Sequence, residues 1–211
     1  MEEPKASDFT ASLREKAHVY GIRLSDENQK RLTDYYRMVM AWNARLHLVA
    51  PCSPAEFATR HVLESLVALA FLPEGARVAD VGSGAGLPII PCLIVRTDLQ
   101  ATLFEASSKK TVFLREALRL IEEPARAKVI AGRFEEAPRP EAGFVTCRAL
   151  DRFREMFEKL VGWSPPSSTL LFFGGPSLQE EIEREGLKFR AILIPETERR
   201  FIFVIERRAE D

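Results

Sequence analysis

This sequence of 211 residues lacks the features of an exported, metal-bound or membrane-embedded protein. Its three cysteines, Cys52, Cys92 and Cys147, lie far apart and have neither metal-ligand nor disulfide-framework spacing. They predict reduced thiols, and therefore a cytoplasmic protein without a bound metal. No apolar run approaches the length that spans a bilayer, so we expect no membrane association. The acidic, polar start, MEEPKASDF, does not resemble a secretory signal peptide.

An excess of charge of one sign is also missing. The chain has 30 Lys and Arg residues against 31 Asp and Glu residues, for a net charge of −1. A nucleic acid would therefore have to bind through a local basic patch rather than a global field. With 46% hydrophobic residues, the chain is long enough for one buried α/β core and an appendage.

The feature that organises the chain is a glycine-rich turn within residues 76–87, ARVADVGSGAGL. A β-branched strand leads into it, and an apolar segment, Ile89–Val95, follows it with prolines where a first helical turn tolerates them. This order predicts the first strand–turn–helix unit of a nucleotide-binding α/β sheet. Glycine lets a ligand lie against the backbone and tolerates φ > 0, and the turn carries it at Gly82, Gly84 and Gly86.

The glycine spacing distinguishes among ligand classes. It matches neither the G-x-G-x-x-G of dinucleotide folds nor the Gly-Lys-Ser/Thr ending of a triphosphate loop. The G-x-G-x-G pattern, led by Asp80 two residues earlier, resembles the first motif of class I S-adenosylmethionine-dependent methyltransferases. A glycine turn that binds nothing is the alternative.

The first part of the chain predicts a helical cap, residues 1–72, ahead of a methyltransferase domain, residues 73–211. Apolar residues at helical spacing predict helices over 6–20, from after the N-cap Ser25 to about Leu46, and over 54–71. The third begins with a capping box, Ser53 to Glu56. Lys30, Asp34 and Arg37 share an outward face, for which solvation is favoured over RNA contact.

Beyond the cap, strands and helices alternate, which predicts an α/β, Rossmann-like and mostly parallel sheet with an antiparallel C-terminal hairpin at its edge. We expect a helix over 110–121 that buries Val112, a helix over 151–163, and a capping box formed by Ser177 and Glu180. The remaining strands are predicted at 101–104, 127–131, 144–147, 169–173, 189–194 and 201–206.

Ligands of such sheets bind beyond the carboxyl ends of the strands, so three residues there are candidates. Glu105 ends the second strand and can accept both ribose hydroxyls of an adenosyl group, or it is a helix cap or surface acid. Phe134 lies against an adenine ring or is a core aromatic. Arg148 meets a phosphate, a carboxylate or a guanine oxygen, or forms a structural ion pair.

With these residues assembled, the chain resembles the bacterial glucose-inhibited-division protein B family of 16S rRNA (guanine-N7)-methyltransferases, over residues 42–175. Asp80 to Pro88 matches the family's D-V-G-S-G-A-G-F/L-P closely. Weaker matches are Trp42-Asn43 with Leu46-His47-Leu48, Arg60-His61 with Glu64-Ser65-Leu66, Glu105-Ala106-Ser107 with Lys109-Lys110, Arg133 with Glu135-Glu136, and Arg148.

The resemblance implies a bound S-adenosylmethionine and, as partner, the 16S rRNA of the small ribosomal subunit, with the protein acting as a monomer. Arg148 is the candidate catalytic residue, and the cap would help receive the RNA loop. RNA contacts are expected from Arg60, Lys109 and Lys110, with plain solvation as the alternative for the lysines. The candidate cofactor-binding residues are Asp80, Gly82, Gly84, Gly86, Leu87, Glu105, Ala106, Phe134, Glu135 and Arg148.

The chain departs from the family pattern on the acceptor side. Glu64 replaces an aspartate, and Gly174 stands near the place of a Lys-Gly pair after the fifth strand. A class I methyltransferase that modifies another RNA, a protein or a small molecule therefore stays open, as does a non-catalytic cofactor-binding module on the ribosome. Guanine N7 needs no deprotonation, which agrees with the absence of an evident His–Asp pair or cysteine nucleophile. His61 is expected to be a packed, hydrogen-bonded histidine.

Overall fold

The computed structural model describes residues 6–121, 123–148 and 153–207. Helix α1, Ala6–Lys16, continues as a 3-10 turn, Ala17–Tyr20, and ends at Gly21, whose φ of 70° is left-handed. Helix α2, Asp26–Leu46, begins where the side chain of Ser25 accepts a hydrogen bond from the backbone N–H of Asn28. The first two predicted helices and their end signals are confirmed.

The third predicted helix is a composite of four short pieces, named α3 here. It starts at the predicted capping box, in which Ser53 and Glu56 each accept a hydrogen bond from the other's backbone N–H. Its middle is a π-helix, a wide turn that occurs often at functional sites. The pieces are the α-turn Pro54–Glu56, the π-helix Phe57–Leu63, the α-turn Glu64–Leu66 and the 3-10 turn Val67–Phe71.

The predicted sheet is present, with seven strands in the order β3-β2-β1-β4-β5-β7-β6. Strands β1 to β5 are parallel, and β7 runs antiparallel to both β5 and the edge strand β6. This confirms the α/β class and the closing antiparallel hairpin. The strands are β1 Arg77–Val81, β2 Gln100–Glu105, β3 Ala127–Ala131, β4 Phe144–Arg148, β5 Thr169–Gly174, β6 Arg190–Leu193 and β7 Phe201–Glu206.

Within the described residues, four helices connect the strands, with 3-10 turns beside them. The helices are α4 Ile89–Val95, α5 Ser108–Ala117, α6 Phe153–Trp163 and α7 Pro176–Arg184. The 3-10 turns are Leu118–Leu120, Pro124–Arg126 and Phe134–Glu136. Positions 151 and 152 of the predicted helix 151–163 lie outside the described residues.

Two local predictions are wrong. Val112 is 48% exposed, because the apolar face of α5 passes through Phe113, Leu114 and Ala117 instead. Ser177 and Glu180 form no capping box: the N-cap of α7 is Gly175, two residues before Ser177, and it makes no side-chain cap hydrogen bond. Ser177 therefore lies inside the first turn.

The hydrophobic core has one cluster on each face of the sheet. The larger cluster joins the cap helices to α4 and α5, and it includes the ring of Phe57, which lies 5.2 Å from the ring of Tyr36. Helix α2 packs directly on α4 and α5, which places the cap beside the glycine turn. The smaller cluster packs α6 and α7 on the opposite face. Within the described residues, every helix is too short or too polar to cross a membrane.

Candidate active site

The carboxyl ends of β1, β2 and β4 surround a cavity of about 480 Å³, called the glycine-loop cleft here. That volume falls within the range of roughly 300–1,000 Å³ typical of small-molecule sites. The cleft is lined by Leu48, Val49, Ala50, His61, Gly82, Ser83, Gly84, Ala85, Leu87, Phe104, Glu105, Ala106, Lys110, Gly132, Arg133, Phe134, Glu135, Arg148 and Met156.

The glycine loop has the backbone that the sequence predicted. Gly82, Gly84 and Gly86 have φ values of 68°, 52° and 84°, a region that residues with a Cβ rarely adopt. The N–H groups of Gly82 and Ser83 both donate to the carbonyl of Phe104, at 3.0 and 3.2 Å. The end of β2 therefore anchors the start of the loop.

The carboxylate of Glu105 lies in the cleft wall and is held there by two backbone N–H groups. Its Oε2 accepts from the N–H of Gly84 at 2.8 Å, and its Oε1 accepts from the N–H of Ser107 at 2.7 Å. An ionised carboxylate offers about four lone-pair sites, so each oxygen keeps the capacity to accept a hydroxyl. The side chain is thus fixed at the cleft wall, with lone pairs left to accept further hydrogen bonds.

Asp80 lies behind the loop rather than in the cleft wall. It is fully buried, and its Oδ1 accepts from the hydroxyl of Thr146 at 2.7 Å. Its Oδ2 is buried and finds no hydrogen-bond partner in the part of the chain that the structure describes. Burial raises the pKa of this carboxyl to about 7, although the hydroxyls of Ser83 and Thr146 act in the opposite direction.

One wall of the cleft is formed by the 3-10 turn after β3. Phe134 is buried and lines the cleft, with its ring edge-on to Trp163 at 5.3 Å. It is therefore both a core aromatic and a cleft residue. Glu135 also lines the cleft, and Arg133 pairs with it at 3.4 Å.

Arg148 lines the cleft at the end of β4, but its Nη groups bind the cap. One Nη donates to the carbonyl of His61 and the hydroxyl of Ser65, and the other donates to the carbonyl of Arg60. The second Nη also pairs with Oε2 of Glu64 at 3.2 Å. The structural ion pair considered for Arg148 is therefore present, and its catalytic role stays a prediction.

Glu64 joins three parts of the molecule. Its side chain is 2% exposed, and its Oε1 lies 2.6 Å from a guanidinium nitrogen of Arg200, in the loop between β6 and β7. The cap, β4 and the closing hairpin thus meet at one buried carboxylate. A buried charge of this kind is tolerated when it is paired.

His61 is packed as expected, and one of its two ring nitrogens departs from the hydrogen bonding that was expected. The ring lies 5.0 Å from that of Phe57, and its buried Nδ1 has no hydrogen-bond partner among the described residues. Burial, followed by the positive charges of Arg148, Arg60 and Arg200, lowers the pKa of His61 to about 4. The imidazole is neutral at pH 7.

The structure gathers most of the candidate residues but not all. Asp80 and Gly86 support the loop from behind, and Arg60 and Lys109 lie outside the cleft wall, whereas Lys110 lines it. Sequence reasoning did not find the wall formed by the segment after α2, Leu48 to Ala50, or the contribution of Met156. The match of Leu46-His47-Leu48 to a family motif was the available signal for the first of these.

Local packing also explains Gly174. A Cβ built there would lie 2.5 Å from Cδ2 and 2.9 Å from Cβ of Leu178, so a larger residue would require Leu178 of α7 to move. Two cations on the outer face of α2 share one acid, since Lys30 and Arg37 lie 3.5 and 2.9 Å from the Asp34 carboxylate.

Comparison with known proteins shows which family this chain resembles. The family model GidB, rRNA small subunit methyltransferase G, matches residues 28–203. The chain is 37% identical to ribosomal RNA small subunit methyltransferase G of Gluconobacter oxydans over 163 residues, which cover 75% of this chain and 81% of that protein. It is 33% identical to the protein of the same name from Acidiphilium cryptum, covering 90% and 88% of the two chains.

A solved structure agrees on the fold. A SAM-dependent methyltransferase from Aquifex aeolicus superposes with a TM-score of 0.52 at 17% identity, covering 68% of this chain and 89% of that one. The glycine loop and the cleft beyond the parallel strands are consistent with the family and the fold that these matches indicate. This chain belongs to the GidB family, rRNA small subunit methyltransferase G.

Proposed function

We propose that this protein transfers a methyl group from S-adenosylmethionine to N7 of a guanine in 16S ribosomal RNA. The observation that carries the proposal is the glycine-loop cleft, where a glycine-rich loop faces a fixed carboxylate, Glu105. Family membership supports a ribosomal RNA acceptor, and the guanine N7 position comes from the motif resemblance.

The residues present fit S-adenosylmethionine. Glu105 would hold the ribose hydroxyls with the lone pairs that Gly84 and Ser107 leave free. Phe134, Glu135 and Ala106 would contact the adenine side, while Gly82, Gly84 and Leu87 would contact the remainder. Asp80 and Gly86 would act through the loop, which they support from behind.

When bound, the cofactor supplies a methyl group already activated on a sulfonium. Guanine N7 carries a free lone pair, so this chain needs no general base to remove a proton. The imidazole of His61 is neutral, and the guanidinium of Arg148 is hydrogen-bonded to the cap. Both agree with a site that orients the reactants rather than one that moves protons. The protein's contribution is then alignment and the exclusion of water.

For Arg148 we propose a role at the methionine end of the cofactor or at the acceptor base. The test is Arg148→Ala, with Arg200→Ala as its matched control. Each variant removes one guanidinium from Glu64, but only Arg148 lines the cleft. Arg148→Ala is expected to weaken cofactor binding or slow methylation well beyond Arg200→Ala. If it retains both cofactor affinity and rate, the role is abandoned.

On the acceptor side, we propose that residues 1–72 form a cap domain that receives the RNA, ahead of a catalytic domain over 73–211. Arg60, Lys109 and Lys110 are the proposed phosphate contacts, and the protein is proposed to work as a cytoplasmic monomer. Lys110 lines the cleft and Lys109 is exposed next to it, which supports contacts at the cleft mouth. The target base has to be unstacked or in a loop to reach the cleft.

The deciding experiment incubates the purified protein with methyl-labelled S-adenosylmethionine and either 30S subunits or free 16S rRNA. Mass-spectrometric mapping is expected to find 7-methylguanine at one rRNA position. Label only on a protein or a small molecule would establish a different acceptor. Cofactor binding without transfer to any of them would indicate a non-catalytic module.

The cofactor site has its own test in Glu105→Gln. The amide keeps the shape but loses one acceptor oxygen and the charge, so we expect the Kd for S-adenosylmethionine to rise about tenfold. Glu116→Gln is the control, since that carboxylate pairs with Arg119 on the outer face of α5. Equal affinities in a calorimetric titration of both variants would remove Glu105 from the site.

A further inference from the structure

One side chain of the cap reaches the glycine loop directly. Tyr35, on α2, donates a hydrogen bond from its hydroxyl to the backbone carbonyl of Ala85 at 2.7 Å. Fifty residues separate the two in sequence. Tyr35 is fully buried, and its ring also packs near Phe57 of α3. The contact therefore joins the core of the cap to the middle of the loop.

The loop is rich in glycine, so a contact from another part of the chain adds to the few hydrogen bonds within the loop itself. Glycine has more conformational freedom to lose on folding than other residues, and three of the five loop residues are glycines. The described hydrogen bonds from β2 act on the first half of the loop, at Gly82, Ser83 and Gly84. Tyr35 acts on the second half.

The contact is also insensitive to pH and to solvent. Burial raises the pKa of Tyr35 well above the ordinary phenol value, so the hydroxyl stays a donor wherever the fold is stable. Ala85 is buried as well, so water has little access to its carbonyl if the phenol is lost. An unpaired buried carbonyl costs more than a hydrogen bond gains, and the loop would move to relieve it.

We propose that Tyr35 is a positioning residue for cofactor binding, which sets the Ala85 peptide so that the loop has its binding conformation before S-adenosylmethionine arrives. It acts through the loop and does not line the cleft itself. The inference rests on the proposed cofactor site. It makes cofactor affinity depend on α2, which belongs to the region proposed to receive RNA.

The test compares Tyr35→Phe with Tyr36→Phe. Both remove one hydroxyl from adjacent, buried rings of α2, but the described contacts of Tyr36 are ring contacts, with Phe9 and Phe57. By isothermal titration, Tyr35→Phe should raise the Kd for S-adenosylmethionine and S-adenosylhomocysteine about fivefold. With an active acceptor, KM for the cofactor should rise equally while kcat at saturating cofactor is unchanged.

Hydrogen exchange without ligand supplies a second readout. Amides of residues 83–86 should exchange faster in Tyr35→Phe than in wild type, and at the wild-type rate in Tyr36→Phe. A lower melting temperature with an unchanged Kd and unchanged loop exchange would show a purely structural role and overturn the inference. A fall in kcat at saturating cofactor would also overturn it.

Different measurements test the proposed acceptor and the proposed role of Tyr35. Cofactor affinity is measured without any RNA, so the inference stands if the acceptor is not 16S rRNA. Conversely, wild-type methylation of a guanine N7 with equal cofactor affinities in all three proteins would leave the function intact and remove Tyr35.

Discussion

At the scale of single residues, the space around the Cα of Gly86 limits which residues can stand at that position of the glycine loop. A Cβ on Gly86 would lie 2.3 Å from Cδ1 and 2.7 Å from Cγ1 of Ile90, in the first turn of α4. Its φ of 84° adds backbone strain for any other residue. Only glycine lets α4 begin so close to the loop, which explains why the third glycine is required although it does not line the cleft.

We therefore predict that Gly86→Ala lowers the free energy of unfolding by about 2–4 kcal/mol, from overpacking plus left-handed strain. Urea unfolding at pH 7.5 measures it. Gly186→Ala is the matched control, because Gly186 has a φ of +67° and a Cβ added to it would meet nothing within 4 Å. That variant should lose only the strain, roughly 1 kcal/mol. Equal losses in both would contradict the packing argument.

The raised pKa of Asp80 leads to a prediction about how the stability of the protein depends on pH. Its pKa is about 7 in the folded protein, against an ordinary value of 3.8, because the carboxyl is buried. Between those values the folded state holds a proton that the unfolded state has released. The contribution of Asp80 to stability is therefore greatest below pH 4, falls as pH rises to about 7, and then levels off.

Replacing Asp80 with asparagine should remove this dependence. The stability of Asp80→Asn relative to wild type is expected to increase by a few kcal/mol between pH 5 and pH 8, measured by urea unfolding at each pH. Asp34→Asn, on the exposed face of α2, serves as the control and should show no comparable trend. A constant difference between wild type and Asp80→Asn across the window would refute the raised pKa.

At the scale of elements, two serines that both precede helix-like sequence differ in whether they cap a helix. Ser25 caps α2 through the N–H of Asn28, whereas Ser177 lies one residue inside α7. Ser25→Ala should destabilise the protein by about 1 kcal/mol, because a helix N–H loses its partner. Ser177→Ala should change stability by no more than a few tenths of a kcal/mol. Thermal unfolding of the pair measures both, and a larger loss for Ser177→Ala would restore it as a cap.

Element positions were predictable because they follow from local signals. Serine caps, the Gly21 stop, proline in a first turn and the periodicity of apolar residues all act within one helical turn. The failures at Val112 and Ser177 have local causes too. An apolar residue beside the core face resembles a core residue, and S-x-x-E occurs without capping when Pro176 sets an earlier start.

At the scale of the whole molecule, Glu64 connects the cap, the sheet and the closing hairpin. Glu64→Gln would leave the guanidinium groups of the mostly buried Arg148 and the part-exposed Arg200 without their buried carboxylate. We predict a loss of about 3–5 kcal/mol in the free energy of unfolding, since removing one partner of a buried pair leaves charge uncompensated. Chemical unfolding monitored by tryptophan fluorescence measures the change.

A second link between the same parts gives the control. Lys16 of the cap pairs with Glu196 of the hairpin loop at 2.6 Å, but both side chains are about one-third exposed. Glu196→Gln should therefore cost about 1 kcal/mol or less. If Glu64→Gln costs no more than Glu196→Gln, the buried network does not fasten the cap to the sheet.

The sequence by itself determined the order of elements, the parallel sheet with its closing hairpin, and the glycine turn with Glu105 opposite it. These depend on periodicity, caps and spacing, which are properties of neighbouring residues. Tertiary structure alone decided what contacts the turn from elsewhere in the chain. Tyr35 reaches Ala85, and Arg148 binds the cap through Glu64, Arg60 and His61. Such contacts join residues 50 to 88 positions apart, and no local pattern encodes them because packing of α2 and α3 on the sheet creates them.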